Sequence, residues 1–217
     1  MIDFSRYRLI DLSHELIPGE RKQNGTYLHG EPFYGRSVEV QEFHSYNARM
    51  HFIQSQTHNG THVEAPYKYD ENGADIADMP LGSYIGEAIV CDLDYRSGEE
   101  VTVNDLIDFG IKSNDIVLLR SNLKDKQPYL GFDAVDWLIS TKIKAFGSEN
   151  VHHSPPGTEF GVDDSDGRLL LAGIPYLDAL VGLQQITKPR VFFIGLPVKI
   201  KRVTASWTRA VVLEEIE

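Results

Sequence analysis

The stretch 57–69 reads "THNGTHVEAPYKY", and its local geometry decides how the surrounding chain is arranged. His58 and His62 stand four apart, a spacing that puts two imidazoles on one face of a helix. A helix is the wrong reading here. Asn59-Gly60 is turn chemistry, Thr61 and Val63 are β-branched, and Pro66 ends any helix quickly. The pattern predicts a tight turn followed by a short strand. His58 then enters the turn, while His62 and Glu64 project to one face at period two. Two imidazoles and a carboxylate converging are the ligand set of a catalytic zinc or similar divalent ion with an open position. The helical His-Glu-x-x-His motif of zinc proteases is excluded, since it needs a helix and an acid between the histidines. On spacing alone a second reading stays open, a polar turn whose histidines cap loop backbone.

Working outward, the first third is mostly extended. "RLIDLS" at 8–13, "RSVEVQEF" at 36–43 and "MHFIQSQTH" at 50–58 carry the β-branched, aromatic and alternating residues of strands. Between the first two lies a polar loop, "IPGERKQNGTYLHGEP", long enough to cover something. The middle alternates: strand "EAIVCDLDY", a helix opened by Thr102 with Asp105 three residues on, strand "DIVLLRS", a helix at 133–140, and a short strand at 143–147. A third helix is expected over 176–184, "YLDALVGLQ", introduced by Pro175. "RVFFIGLPV" and "SWTRAVVLEE" return to strand. The expected fold is α/β, one domain over 1–217, with a mixed sheet and an extended N-terminal half. A simple doubly wound sheet is disfavoured, because helices do not alternate with strands in the first third.

Bulk properties narrow the function. The chain has 217 residues, 41% hydrophobic and 24% charged, as in ordinary globular proteins. Thirty-two acids against 21 bases give a net charge of −11, which argues against a nucleic-acid partner. The basic run "KIKRV" at 199–203 is isolated and reads as a solvated strand end. Cys91 is the sole cysteine, so no internal disulfide forms; inside "AIVCDL" it reads as a small buried hydrophobe. Arg6 and Arg8 interrupt the N-terminal apolar residues, and "VFFIGLPV" is too short to cross a bilayer. The expectation is a cytoplasmic protein without a membrane partner.

"DLSHEL" at 11–16 followed by "HNGTHVEAPYKY" resembles the cyclase family of metal-dependent hydrolases, which includes bacterial kynurenine formamidase and isatin hydrolase. The family pattern is H-x-G-T-H-x-D-x-P-x-H, and His58, Gly60, Thr61, His62 and Pro66 match it. The likeness continues through "IVLLRS", "RLLLAGIPYLDAL" and "FFIGLPVKI…SWTRAVVLEE", so it spans nearly the whole chain. It implies a single-domain β/β/α cyclase-like (swivelling) fold and a homo-oligomer, dimer or tetramer. It also implies hydrolysis of a small amide, lactam, lactone, formamide, imide or ester by metal-activated water. Two positions depart from the pattern. Glu64 stands where the family has Asp, and Lys68 where it has the His that acts as catalytic acid/base. The His and Glu that complete a second metal site in binuclear members fall on Asp166 and Asp178.

These departures lead to specific expectations. Glu64, Asp166 and Asp178 converging with Lys68 need a cation, and the Lys68 ammonium fills the role of a second one. The site is then expected to hold one divalent ion, zinc or manganese, on His58, His62 and Glu64, with two ions as the alternative. Lys68 is the candidate catalytic residue, either as a point charge for an oxyanion or substrate carboxylate, or as a proton carrier. The acidic trio favours the charged form. His14, His29, His152 and His153 are candidate pocket residues, with Tyr27 and Phe33 beside His29. His44 and His51 read as ordinary strand residues, and Arg120 and Arg209 as structural ion-pair partners. The rival class is a divergent member that binds a small ligand without turning it over.

Overall fold

In the computed structural model the chain opens with β1 (Tyr7–Asp11), β2 (Glu39–Ser45), β3 (Ala48–Gln54) and the short β4 (His62–Glu64). The structure describes residues 3–18, 38–159 and 161–216. The middle contains β5 (Ile85–Asp92), β6 (Glu100–Val101), α1 (Val103–Ile107), β7 (Ile116–Arg120), β8 (Tyr129–Leu130), α2 (Phe132–Thr141), β9 (Ala145–Glu149) and α3 (Ser165–Leu171). It ends with β10 (Tyr176–Asp178), β11 (Arg190–Ile194), β12 (Ala205–Trp207) and β13 (Val211–Glu215). Nine of these strands form one mixed sheet in the order β1-β13-β11-β5-β7-β9-β10-β4-β12. The pairs β5–β7, β7–β9 and β9–β10 are parallel, and the flanking pairs are antiparallel.

The central strands read as unbroken apolar runs because both of their faces are covered. On β7, Ile116 and Leu118 join one buried cluster while Val117 and Leu119 join the other. On β5, Ala88 and Val90 divide from Ile89 and Cys91 in the same way. Leu106 of α1, Leu138 of α2 and Leu169 of α3 all belong to the second cluster, so the helices cover that face. The sheet curls around the other face. Cys91 is fully buried on the helix-covered face as a hydrophobe, and burial pushes its thiol far above the usual range.

Local signals hold at several ends. The Thr102 amide and hydroxyl donate to Asp105 Oδ2 at 2.8 and 2.7 Å, closing the N-terminus of α1. Arg120 donates to Asp92 and to the carbonyls of Leu183 and Ile186, and Arg209 pairs with Asp11, so both are structural as expected. Lys201 of the basic run pairs with Asp75 and Asp78, and the run is a connection leading into β12. Among the described residues no helix is long and apolar enough to cross a membrane.

The expected third helix is a correction. Residues 176–178 form β10, Ala179 and Gly182 take positive φ, and only 183–185 make a 3-10 turn. The helix lies upstream at Ser165–Leu171, opened by Asp164, whose carboxylate accepts from the Gly167 amide at 2.8 Å. Buried strand and buried helix present the same short apolar run, so pattern alone did not separate them. The strand expected at 50–58 stops at Gln54, and that at 143–147 lies at 145–149.

Candidate metal centre

The turn at 59–61 follows from Gly60, whose φ of +61° favours glycine and whose added Cβ would collide with the Leu16 side chain. Thr61 anchors the turn: its hydroxyl donates to the Ala179 carbonyl at 2.6 Å and accepts from the His14 amide at 2.9 Å. The chain then enters β4, which lies between β10 and β12. His62 and Glu64 share one face of β4 as expected, and the β4–β10 register puts Asp178 directly opposite His62. Pro66 opens the 3-10 turn Pro66–Lys68 and aims Lys68 back at Glu64.

Candidate ligand atoms of His58, His62 and Glu64 all lie within 4.8 Å of one another. His62 Nδ1 is 2.7 Å from the Gly60 carbonyl oxygen, which can only accept, so this nitrogen carries the proton. Its Nε2 is therefore the nitrogen left to serve a cation, and it faces Glu64 Oε1 at 3.4 Å and Asp178 Oδ2 at 3.6 Å. His58 bridges Thr204 Oγ1, 2.8 Å from Nε2, and Glu64 Oε1, 2.7 Å from Nδ1. Nitrogens of two imidazoles and a carboxylate converging on one small volume suit a divalent cation, which would take the place of the proton between His58 Nδ1 and Glu64 Oε1. Oriented histidines are the usual form of such a site. The donor set therefore fits a metal ion. Burial alone would lower the His62 pKa; the carboxylates of Glu64 and Asp178 outweigh it and raise it.

Lys68 occupies the other side of Glu64. Its Nζ lies 2.8 Å from Glu64 Oε2 and 2.5 Å from Asp166 Oδ2, and the Tyr69 hydroxyl donates to Asp166 Oδ1 at 3.2 Å. Burial works against both charges, yet each sustains the other. Lys68 is pushed far above the usual lysine range by Glu64 and Asp166, and Glu64 is held well below the carboxylate range by His58, His62 and Lys68. Asp164, which caps α3, is raised to about 7 by its burial and its hydrogen bond with Asp166.

A cavity of about 490 Å³ opens beside the centre, walled by Glu149, His152, His153, Asp164, Tyr176 and Asp178 among others. The Tyr176 ring stacks on Phe146 at 5.6 Å and meets His153 edge-on at 5.8 Å. His152 and His153 thus line a pocket rather than a featureless loop. The His14 amide bond to Thr61 sets this residue beside the turn; burial pushes its ring down in pKa, with Asp178 pulling the other way.

The family model described as "Putative cyclase" matches residues 10–153, more than half of the chain. The kynurenine formamidase of Erythrobacter litoralis (strain HTCC2594) is 31% identical over 97% of this chain and 95% of its own. The chain belongs to the cyclase family. A second kynurenine formamidase relative, from Bacillus thuringiensis subsp. konkukian (strain 97-27), is 25% identical over 71% of this chain and 75% of its own. This cyclase-family fold superposes on an isatin hydrolase bound to the product analogue thioisatinate with TM-score 0.80, covering 98% and 94% of the chains at 18% identity. Isatin hydrolase A from Labrenzia aggregata gives TM-score 0.78 at 22% identity, covering 98% and 95%.

The cyclase-family centre brings together His58, His62, Glu64, Lys68 and Asp166, and sets Asp178 beside His62. One expectation needs refining. Lys68 bonds Glu64 and Asp166, whereas Asp178 stands on the His62 side. His29, Tyr27 and Phe33 lie outside the described residues. His44 and His51 are exposed strand residues near Glu42. Thr204, Tyr69 and Asp164 were missed. Thr204 is 146 positions from His58 and belongs to no motif, whereas Tyr69 follows Lys68 directly and could have been considered with it.

Proposed function

We propose that this chain is a metal-dependent hydrolase of a small amide or related acyl compound, with one divalent ion, zinc or manganese, held by His58, His62 and Glu64. The observation that carries this is the convergence of their ligand atoms within 4.8 Å, beside a cavity large enough for a small molecule. The relatives' names, a formamidase and a hydrolase, support an amide as the bond attacked.

A divalent ion bound there supplies Lewis acidity and lowers the pKa of water toward neutrality. The chain's residues do the rest. The Gly60 carbonyl and the Thr204 hydroxyl hold the two imidazoles in orientation. Lys68 stays an ammonium at neutral pH, so it acts as a fixed charge rather than a proton carrier. Asp178 borders both the cavity and His62, which places it to accept a proton. Tyr176 and His153, whose rings meet edge-on, offer aromatic surface to the substrate.

Assembly as a homo-oligomer is part of this reading. Every residue of β3 is exposed, with Phe52 at 65% and Ile53 at 60%, and a two-stranded hairpin left uncovered is marginal in water. A cytoplasmic location agrees with the buried reduced Cys91.

One observation favours the rival reading of binding without turnover. Lys68, standing where the family has its acid/base His, is tied up by two acids and cannot shuttle protons. The test is a screen of formamides, lactones and imides with metal-loaded protein. Metal-dependent cleavage of any of them supports the hydrolase; full metal occupancy with no turnover across the screen supports the binding protein.

A further inference from the structure

We infer that Lys68 is the centre's own second cation: its ammonium ties Glu64 to Asp166 and so limits the centre to a single divalent ion. This rests on the ligand reading above and adds what decides the number of ions.

The two oxygens of Glu64 face different partners. Oε1 points to His58 Nδ1 at 2.7 Å and His62 Nε2 at 3.4 Å, and Oε2 points to Lys68 Nζ at 2.8 Å. For Glu64 to bridge two ions with one on each oxygen, Oε2 must be free to ligate, and here it is already hydrogen-bonded to the ammonium. Asp166 is occupied likewise, with Oδ2 on Lys68 at 2.5 Å and Oδ1 on the Tyr69 hydroxyl at 3.2 Å. Glu64 and Asp166 are 2% and 4% exposed, so neither can borrow water in place of the ammonium.

The lysine is fixed rather than draped over the surface. The Lys68 amide donates to the Ala65 carbonyl at 3.0 Å, and the Tyr69 amide to the Pro66 carbonyl at 3.0 Å. Pro66 presets the turn, so the backbone delivers the side chain to one place. Its side chain is 24% exposed, unusual for a lysine. Charge agrees with geometry. One divalent ion and one ammonium match the three carboxylates Glu64, Asp166 and Asp178 charge for charge. A second divalent ion beside the ammonium would leave two positive charges in excess.

Lys68 is thus a positioning residue, acting on the metal through Glu64 and excluding a second ion from the space between Glu64 and Asp166. Removing the ammonium leaves two buried acids within reach of one point, which a divalent ion can bridge.

The experiment is calorimetric titration of manganese or zinc into chelator-stripped protein, with elemental analysis after dialysis. Wild type is expected to bind one ion per chain, Lys68→Met two, and the double variant Lys68→Met with Asp166→Asn one again. Lys68→Met retaining one ion at unchanged affinity overturns the inference, as does wild type binding two. If Lys68→Met fails to fold, Lys68→His replaces it, since neutral imidazole is a ligand and lysinium is not; it too must exceed one ion. Failure of the underlying ligand reading looks different: His62→Ala would keep its ion, or wild type would bind none, and either result overturns both.

Discussion

His62 Nδ1 lies 2.7 Å from the carbonyl oxygen of Gly60, two residues earlier in the same turn. The turn that makes the local structure therefore also fixes the tautomer of the imidazole it presents. A positive φ at Gly60 points its carbonyl at the ring, and the ring answers by turning Nε2 inward.

Gly60→Ala is expected to weaken metal binding as well as stability. Forcing an L side chain to positive φ costs about 1–2 kcal/mol, before Leu16 is displaced. Displacement of the carbonyl that orients His62 should lower metal affinity by about 10–100-fold. Competition with a fluorescent chelator reads the affinity, and unaltered affinity in a folded variant would separate the turn from the site.

His58→Ala and His62→Ala are both expected to abolish metal binding while the fold survives, but with unequal effects on stability. The His58 side chain is 25% exposed and that of His62 1%, so only the second leaves a buried hole. The His62 variant should lose about 2–4 kcal/mol, by analogy with other large-to-small core changes, and the His58 variant markedly less. Elemental analysis with urea denaturation checks both; full metal content in either variant would show that ring is not a ligand.

Asp105 should make the fold acid-sensitive independently of the centre. Burial would raise its pKa, but the Thr102 hydroxyl and amide and the Arg96 guanidinium hold it below the ordinary 3.8. A lowered folded pKa means stability present above that ordinary value and lost as the pH falls through the folded one. Asp105→Asn is expected to cost about 1 kcal/mol at pH 7, in line with other capping losses. The gap to wild type should close below pH ~4, where the carboxylate protonates. Urea midpoints from pH 3 to 8 measure it; a gap constant with pH would contradict the charge argument.

The exposed hairpin gives a test of assembly. Light scattering at micromolar concentration should return at least twice the 24.5 kDa chain mass. Replacing Phe52 and Ile53 by Asp should shift the mass toward the monomer, because these are the most exposed apolar residues of β3. A wild-type mass of one chain would rule out the homo-oligomer.

Short-range features were legible in the sequence because short-range physics decides them. Asn59-Gly60, the β-branched Thr61 and Val63, and Pro66 specify a turn and a strand, and period two then puts His62 and Glu64 on one face. The Thr102–Asp105 cap was legible for the same reason. The strand at 176–178 was not, since a short apolar run covered on both faces carries no period to identify it.

The partners across the sheet were decided by tertiary structure. Resemblance pointed to Asp166 and Asp178, but register alone sets Asp178 opposite His62, and α3 alone brings Asp166 to Lys68 across 98 positions. Nothing in the local sequence distinguishes a lysine that ends in solvent from one whose ammonium ends between two buried acids. That difference is made by what packs around the side chain. Burial removes the water that would otherwise screen the three charges, and only the folded chain supplies burial.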